Sequence, residues 1–294
     1  MRTGSTAQGK KRSLSLSSFF LEIGLLLSSS VLFSLAFPNI VSKNGFFPCA
    51  FFALIPLFRL VRRAGWVRLF IYGFLYGLVT YSLFNYWLVT FHPLAILIVP
   101  VIYAVYFAII LPALKVSGVL FPRHGFIVQT VIWLAYEYLR TKGFLGYSYG
   151  IIGYSQFRFL PLIQIASFTG VWGVSALIVF PQALVSQWLD SRREKAGESE
   201  RSGAAGNRRF RIGGICWGVV FLASLVYGFI VPGSFETDRY WKTALVQQNV
   251  DPWRGGVRAY RQSLDVLKRL SSEAAKEGPD IIIWSETSFV PAID

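Results

Sequence analysis

The chain has 294 residues, 54% of them hydrophobic and 15% charged, with a mean hydropathy of +0.50. An ordinary soluble domain carries about 25% charged residues, so that class is excluded and a polytopic α-helical membrane protein is expected. The formal net charge of +14 invites a nucleic-acid reading, which the placement of the charge removes, and no nucleic-acid partner is expected.

A spanning helix needs roughly 20 predominantly apolar residues. Seven stretches approach that length, near 17–37, 46–60, 67–91, 94–114, 125–141, 160–189 and 212–232. Lys10, Lys11 and Arg12 precede the first, as in a signal peptide. Its length, its internal Glu22 and the lack of a small-residue cleavage site favour an uncleaved helix.

The amino terminus and the loops after the second, fourth and sixth stretches hold 17 Lys and Arg. The opposite side, through residue 232, holds only Lys43, Arg140, Lys142 and Arg158. This positive-inside asymmetry predicts a cytoplasmic amino terminus. Seven spans would then put the carboxy-terminal segment outside the cytoplasmic (inner) membrane, in the periplasm. The loop 190–211 reads as a mobile polar connector.

After a linker at 233–242, Thr243–Val250 reads as a strand. Apolar residues at 257, 260, 264, 267, 270 and 274 then follow helical spacing. Gly278-Pro279 stops that helix, and Asp280–Trp284 is a second, nearly all-apolar strand of the kind buried on both faces. This is one βαβ unit, and about fifty residues do not bury a competent core alone.

The second strand delivers Glu286 to its carboxyl end, where open α/β folds hold their chemistry. Desolvation there raises a carboxylate toward the range of a general base, although a strand-end glutamate can equally cap a turn. Trp253, in the loop after the first strand, falls on the same rim. It could line an acyl pocket, meet the membrane interface, or pack within the domain.

Glu137 lies within the fifth stretch, and an intramembrane carboxylate marks function by default. Arg140, three residues on, offers an ion pair on the same helix face, which would make Glu137 part of the scaffold. The Gly- and Tyr-rich loop 143–155, with Gly146, Tyr147 and Tyr149, can dip into the interface and line a lipid groove, or serve as a plain re-entrant connector. Cys49 and Cys216 fall inside spans, and His92 and His124 lie on opposite sides of the membrane. No metal site and no cofactor are expected.

Six short stretches, in order, carry a family resemblance. They are Asn85-Tyr86-Trp87, Trp133–Arg140 with Glu137, Gly153-Tyr154-Ser155-Gln156, Gly170-Val171-Trp172-Gly173-Val174-Ser175, Val246-Gln247-Gln248-Asn249-Val250 and Ile283-Trp284-Ser285-Glu286. With them the chain resembles the apolipoprotein N-acyltransferases, membrane enzymes with a nitrilase-like domain.

The resemblance implies a transmembrane helical domain at 1–232 and the start of a nitrilase-like αββα sandwich at 243–294. It implies ping-pong transfer of an acyl chain from a phospholipid, through a cysteine thioester, to the α-amine of a diacylglyceryl-cysteine apolipoprotein. The family's Glu-Lys-Cys triad maps its glutamate onto Glu286, and its lysine and cysteine onto nothing in these 294 residues. The family's lipid-facing loop maps onto Gly146, Tyr147 and Tyr149, with Tyr149 where Trp is usual and Ser148 where Pro is common. Trp253 resembles the family's active-site tryptophan, at a shorter spacing from Asn249.

On that reading the segment is truncated, and alone it would have a base without a nucleophile. A second chain completing the domain in trans is one way to restore it. The competing readings are a non-catalytic protein that binds membrane lipid or lipoprotein, and a transporter. The transporter is disfavoured by the lack of an internal repeat.

Overall fold

A computed structural model describes residues 16–91, 94–143, 146–195, 203–231, 240–249 and 256–285. The chain divides into two compact units, Met1–Gly233 and Ser234–Asp294.

The first unit is helical. Its main helices are α1 (Leu16–Ala36), α2 (Ile55–Arg63), α3 (Trp66–Phe84), α4 (Ala95–Leu120), α5 (Gly125–Leu139), α6 (Val171–Lys195) and α7 (Gly203–Ile230). Among the described residues, five helices are long and apolar enough to cross a membrane: α1, α3, α4, and most of α6 and α7. Seven apolar stretches were expected to span; five helices among the described residues have that length, and the shorter stretches depart for local reasons.

The stretch 46–60 is not one helix. A 3-10 turn at Phe47–Phe51 precedes α2, with Pro48 and Pro56 at the starts of the two pieces. Broken backbone inside an apolar bundle persists only where its polar groups find partners. Here Gln182 of α6 supplies them: its Oε1 accepts from Leu54 N at 2.6 Å and its Nε2 donates to the Ala50 carbonyl at 2.9 Å. The stretch 160–189 breaks at Gly170, whose φ of +63° ends a short turn before α6 begins. The stretch 67–91 is continuous only to Phe84, and α5 has 15 residues.

Small residues bring the helices close. In α3 a Cβ on Gly73 would lie 2.2 Å from the Phe107 carbonyl oxygen of α4, and one on Gly77 would lie 2.5 Å from that of Tyr103. This small-xxx-small spacing lets α3 and α4 pack backbone to backbone, the contact that drives helix association in lipid. Against α1 the same helix uses hydroxyls: Thr80 donates to Ser30 Oγ at 2.8 Å, and Ser29 donates to the Tyr76 hydroxyl at 3.3 Å.

The basic side chains gather at one end of this unit. Buried Glu22 pairs with Arg68 and accepts from Tyr72 at 2.8 Å. Arg59 and Arg62 reach Asp190 at 3.7 and 3.8 Å. Lys115 donates to the last carbonyls of α2, including that of Ala64. At the other end lie the close of α3, the close of α5 and the loop after it.

The second unit is a right-sized βαβ: β1 (Thr243–Val246), α8 (Gly256–Ala275) and β2 (Ile281–Trp284). The strands pair in parallel, Thr243 opposite Ile281 through Val246 opposite Trp284. The first strand is shorter than the expected Thr243–Val250, since Gln247–Asn249 leave the ladder and Asn249 takes a φ of +51°. The second is not buried on both faces as expected: Ile283 is 47% exposed, because the described sheet has two strands and α8 covers only one side. Trp284 Nε1 donates to Ser271 Oγ of α8 at 2.9 Å, which pins the end of β2.

Candidate functional site

The site at the far end of the helical unit is built around α5. Its apolar face buries Phe126, Trp133 and Tyr136, which places Glu137 and Arg140 inside the bundle rather than toward lipid. Glu137 is 1% exposed. Its Oε1 accepts from Trp133 Nε1 at 3.0 Å, one turn back, and from the Ile152 backbone N–H at 2.8 Å. The Gly153 N–H donates to Ser175 Oγ at 3.1 Å, which leaves the Ser175 hydroxyl hydrogen to turn toward the carboxylate.

Arg140 caps α5 and is also buried. Its guanidinium donates to the Tyr149 carbonyl at 2.9 Å and to the Tyr81 hydroxyl. It stands 5.1, 5.6 and 5.7 Å from the ring centroids of Tyr103, Tyr136 and Tyr81. Tyr81 and Tyr103 stack 3.7 Å apart and 7° from parallel, and the Tyr81 and Tyr136 hydroxyls meet at 3.0 Å. Cation–π attraction is strongest when desolvated, and a cation at a helix C-terminus also meets the negative end of the dipole. These terms hold a buried charge that has no acidic partner within 4 Å among the described residues. The expected Glu137–Arg140 ion pair is thus absent, because each group finds closer partners in the loop.

That loop carries three of the residues singled out in the sequence. Gly146 makes the turn, with its N–H on the Gly143 carbonyl at 3.0 Å, and the next N–H, from Tyr147, bonds the Arg140 carbonyl at 3.0 Å. Tyr147 donates to Asn85 Oδ1 at 2.8 Å, and its own carbonyl accepts from Tyr103 at 3.3 Å. Tyr149 sits among Phe37, Phe84 and Trp87, at centroid distances of 6.0, 5.4 and 5.7 Å. Burial raises both phenols above their ordinary value, so both stay protonated. Gly150 takes a φ of +90°, and a Cβ there would lie 2.5 Å from the Phe84 ring.

The structure therefore brings Glu137, Gly146, Tyr147 and Tyr149 together. It adds Arg140, Asn85, Tyr81, Tyr103, Gly150 and Ser175, which were not singled out as site residues. Asn85 is fully buried, and its Nδ2 has no partner among the described residues. Beside the site, Tyr106, Ile109 and Ile110 of α4 and Tyr136, Leu139 and Arg140 of α5 line a mostly apolar groove of about 250 Å³.

Trp253 and Glu286 lie outside the described residues. Ser285, next to Glu286, donates to Gln248 Oε1 at 3.4 Å, so the carboxyl ends of β1 and β2 adjoin.

Five apolar helices and a buried, loop-stapling ion network define a polytopic helical membrane protein with an additional small α/β unit. A family model described as the apolipoprotein N-acyltransferase N-terminal domain matches residues 29–184. Apolipoprotein N-acyltransferase 1 of Treponema denticola is 39% identical over 278 residues, covering 94% of this chain and 50% of the relative. Apolipoprotein N-acyltransferase 1 of Treponema pallidum is 39% identical over 284 residues, covering 93% and 50%. The apolipoprotein N-acyltransferase of Borreliella burgdorferi is 28% identical over 274 residues, covering 88% and 48%. The chain belongs to the apolipoprotein N-acyltransferase family. It spans about half the length of the curated relatives it matches.

Proposed function

We propose that this chain supplies the membrane unit and the beginning of the catalytic unit of an apolipoprotein N-acyltransferase. The reaction moves an acyl chain from a phospholipid to the amino-terminal amine of a diacylglyceryl-cysteine apolipoprotein. The observation that carries this reading is the convergence of four separated sequence stretches on one network. Asn85, Glu137 with Arg140, Gly153 and Ser175 come from four of the stretches that define the resemblance, and all meet around the loop after α5.

In this reading the helical unit holds a rigid aromatic surface at the outer membrane interface, where Tyr and Trp are enriched. The groove between α4 and α5 takes an alkyl chain of the donor. The gathering of Arg59, Arg62, Arg68 and Lys115 at the opposite end supports a cytoplasmic face there and a periplasmic α/β unit. Residues 243–294 are the first strand, helix and strand of a nitrilase-like domain, preceded by a linker at 233–242.

Glu286 is the general base. It takes the proton of a cysteine thiol as the sulfur attacks the donor ester carbon, and it returns that proton to the departing lysophospholipid alkoxide, which restores the carboxylate. The acyl chain is then held as a thioester. In the second half the lipoprotein amine attacks the thioester, Glu286 accepts the amine's proton, and the thiolate leaves. Trp253 lines the acyl pocket on the same rim. The lysine and cysteine of the family's triad have no counterpart in these 294 residues.

The test is Glu286→Gln in the protein at its natural length, in membranes, with a diacylglyceryl lipopeptide as acceptor. Acyl transfer is expected to fall by at least about two orders of magnitude, as for loss of a general base. Unchanged transfer would remove Glu286 from the mechanism and favour a lipid-binding role for this chain.

A further inference from the structure

A second cavity, of about 420 Å³, opens at the opposite end of the helical unit, among the ends of α2, α4 and α6 and the start of α5. Arg63, Lys115, Gly118, Val119, Gln129 and Asp190 are in its wall. Nothing in the acyl-transfer reading uses it.

Its chemistry is two-signed. Arg63 is exposed and makes no ion pair among the described residues, so its guanidinium fork is available. Lys115 is fixed by the last carbonyls of α2 and adds positive potential. Two acceptors face these cations. Gln129 is 1% exposed, and its Nε2 donates to the Leu114 carbonyl at 3.2 Å, which fixes the amide orientation. Its Oε1 then has no partner among the described residues. The Asp190 carboxylate is the second acceptor, already flanked by Arg59 and Arg62.

A buried, unsatisfied acceptor costs about 1–3 kcal/mol unless a donor reaches it. Soluble phosphate reaches that acceptor only through a protonated oxygen, and it brings no cation for Asp190. A phospholipid headgroup that ends in an ammonium brings both signs. Val119, 61% exposed at the cavity wall, continues into the exposed apolar surface of Val116 and Leu120, where acyl chains can lie.

We propose that this cavity binds the phosphoethanolamine headgroup of a membrane phospholipid. The phosphate sits on Arg63, and the ammonium sits on Gln129 Oε1 and Asp190. This lipid is at the end of the unit away from the aromatic loop and is distinct from an acyl donor bound there.

The test is native mass spectrometry of the purified natural-length protein, titrated with phosphatidylethanolamine. Two variants are compared with the parent. Gly118→Leu fills the cavity without changing charge; a Cβ there would come no closer than 3.8 Å to Gln129 Nε2, so the longer chain extends into open space. Arg63→Gln removes the exposed fork and leaves the helix packing alone. Both are expected to weaken retention of one lipid molecule by about tenfold or more, Arg63→Gln through the loss of one charge-assisted hydrogen bond and Gly118→Leu by occupying the cavity. Millimolar inorganic phosphate is expected not to displace it. Unchanged retention in either variant overturns the proposal, and displacement by phosphate overturns it by giving the cavity to a soluble anion.

Discussion

Glu137 and Arg140 lie one turn apart in α5, and each holds a different part of the same loop instead of pairing with the other. The carboxylate takes the Ile152 N–H at 2.8 Å, and the guanidinium takes the Tyr149 carbonyl at 2.9 Å. In a low-dielectric interior each charge is held by fixed dipoles, and each dipole is itself part of the backbone being positioned. The loop is therefore stapled at two points to one rigid helix.

Removing the carboxylate strands two buried donors, the Trp133 indole and the Ile152 amide. Each costs about 1–3 kcal/mol, so Glu137→Ala is expected to lose roughly 2–6 kcal/mol in an SDS unfolding titration. Glu137→Gln keeps an acceptor oxygen and is expected to lose less than about half of that. Equal losses would mean that the negative charge, not the hydrogen bonding, holds the loop.

Arg140→Lys keeps the charge but loses the planar fork that spans Tyr149 and Tyr81. Amide hydrogen exchange at residues 149–153 is expected to speed up by about tenfold, which corresponds to about 1.4 kcal/mol. Exchange in β1 and β2 should not change. Unaltered exchange in the loop would show that ring packing around Tyr149 is sufficient.

At Gly150 any side chain meets both a positive φ and the Phe84 ring. Gly150→Ala is expected to destabilise the protein by about 1–3 kcal/mol. Adding Phe84→Leu should recover part of this by relieving the contact. A pair of strictly additive losses would locate the whole cost in the backbone conformation.

Tyr147 is half-buried, and desolvation raises its phenol above the ordinary value, near 10. A folded-state value above the unfolded one gives stability that is full below about pH 10 and is lost as pH rises toward the folded value. Alkaline unfolding is therefore expected to begin above that ordinary value. Tyr147→Phe should shift the onset to higher pH while losing about 1 kcal/mol at neutral pH, the bond to Asn85. Tyrosinate absorbance followed alongside unfolding measures both.

Much of this was legible in the residues. Apolar runs located the helices, and the short stretches around Asn85, Glu137, Gly153 and Gly170 carried the resemblance to the family that the comparisons show. Other features depend on contacts far apart in the chain. Nothing around residues 46–60 shows that Gln182, more than a hundred residues on, satisfies a broken backbone there. The spacing of Glu137 and Arg140 suggested an ion pair, because i,i+3 neighbours are all that a helix alone offers; the folded loop supplied better partners. Asn85 stood inside an aromatic triplet that reads as an interface belt, and only the Tyr147 bond separates it from one. Arg140 appeared as a flanking charge because its cage of Tyr81, Tyr103 and Tyr136 is drawn from three helices.

The most direct measurement is the mass of a synthetic diacylglyceryl lipopeptide after incubation with the natural-length protein in phospholipid vesicles. The expected result is a gain of one acyl chain, with the terminal amine blocked and a matching amount of lysophospholipid released. No gain, under conditions where a relative of the same family acylates the same peptide, would contradict the assignment of acyl transfer to this protein.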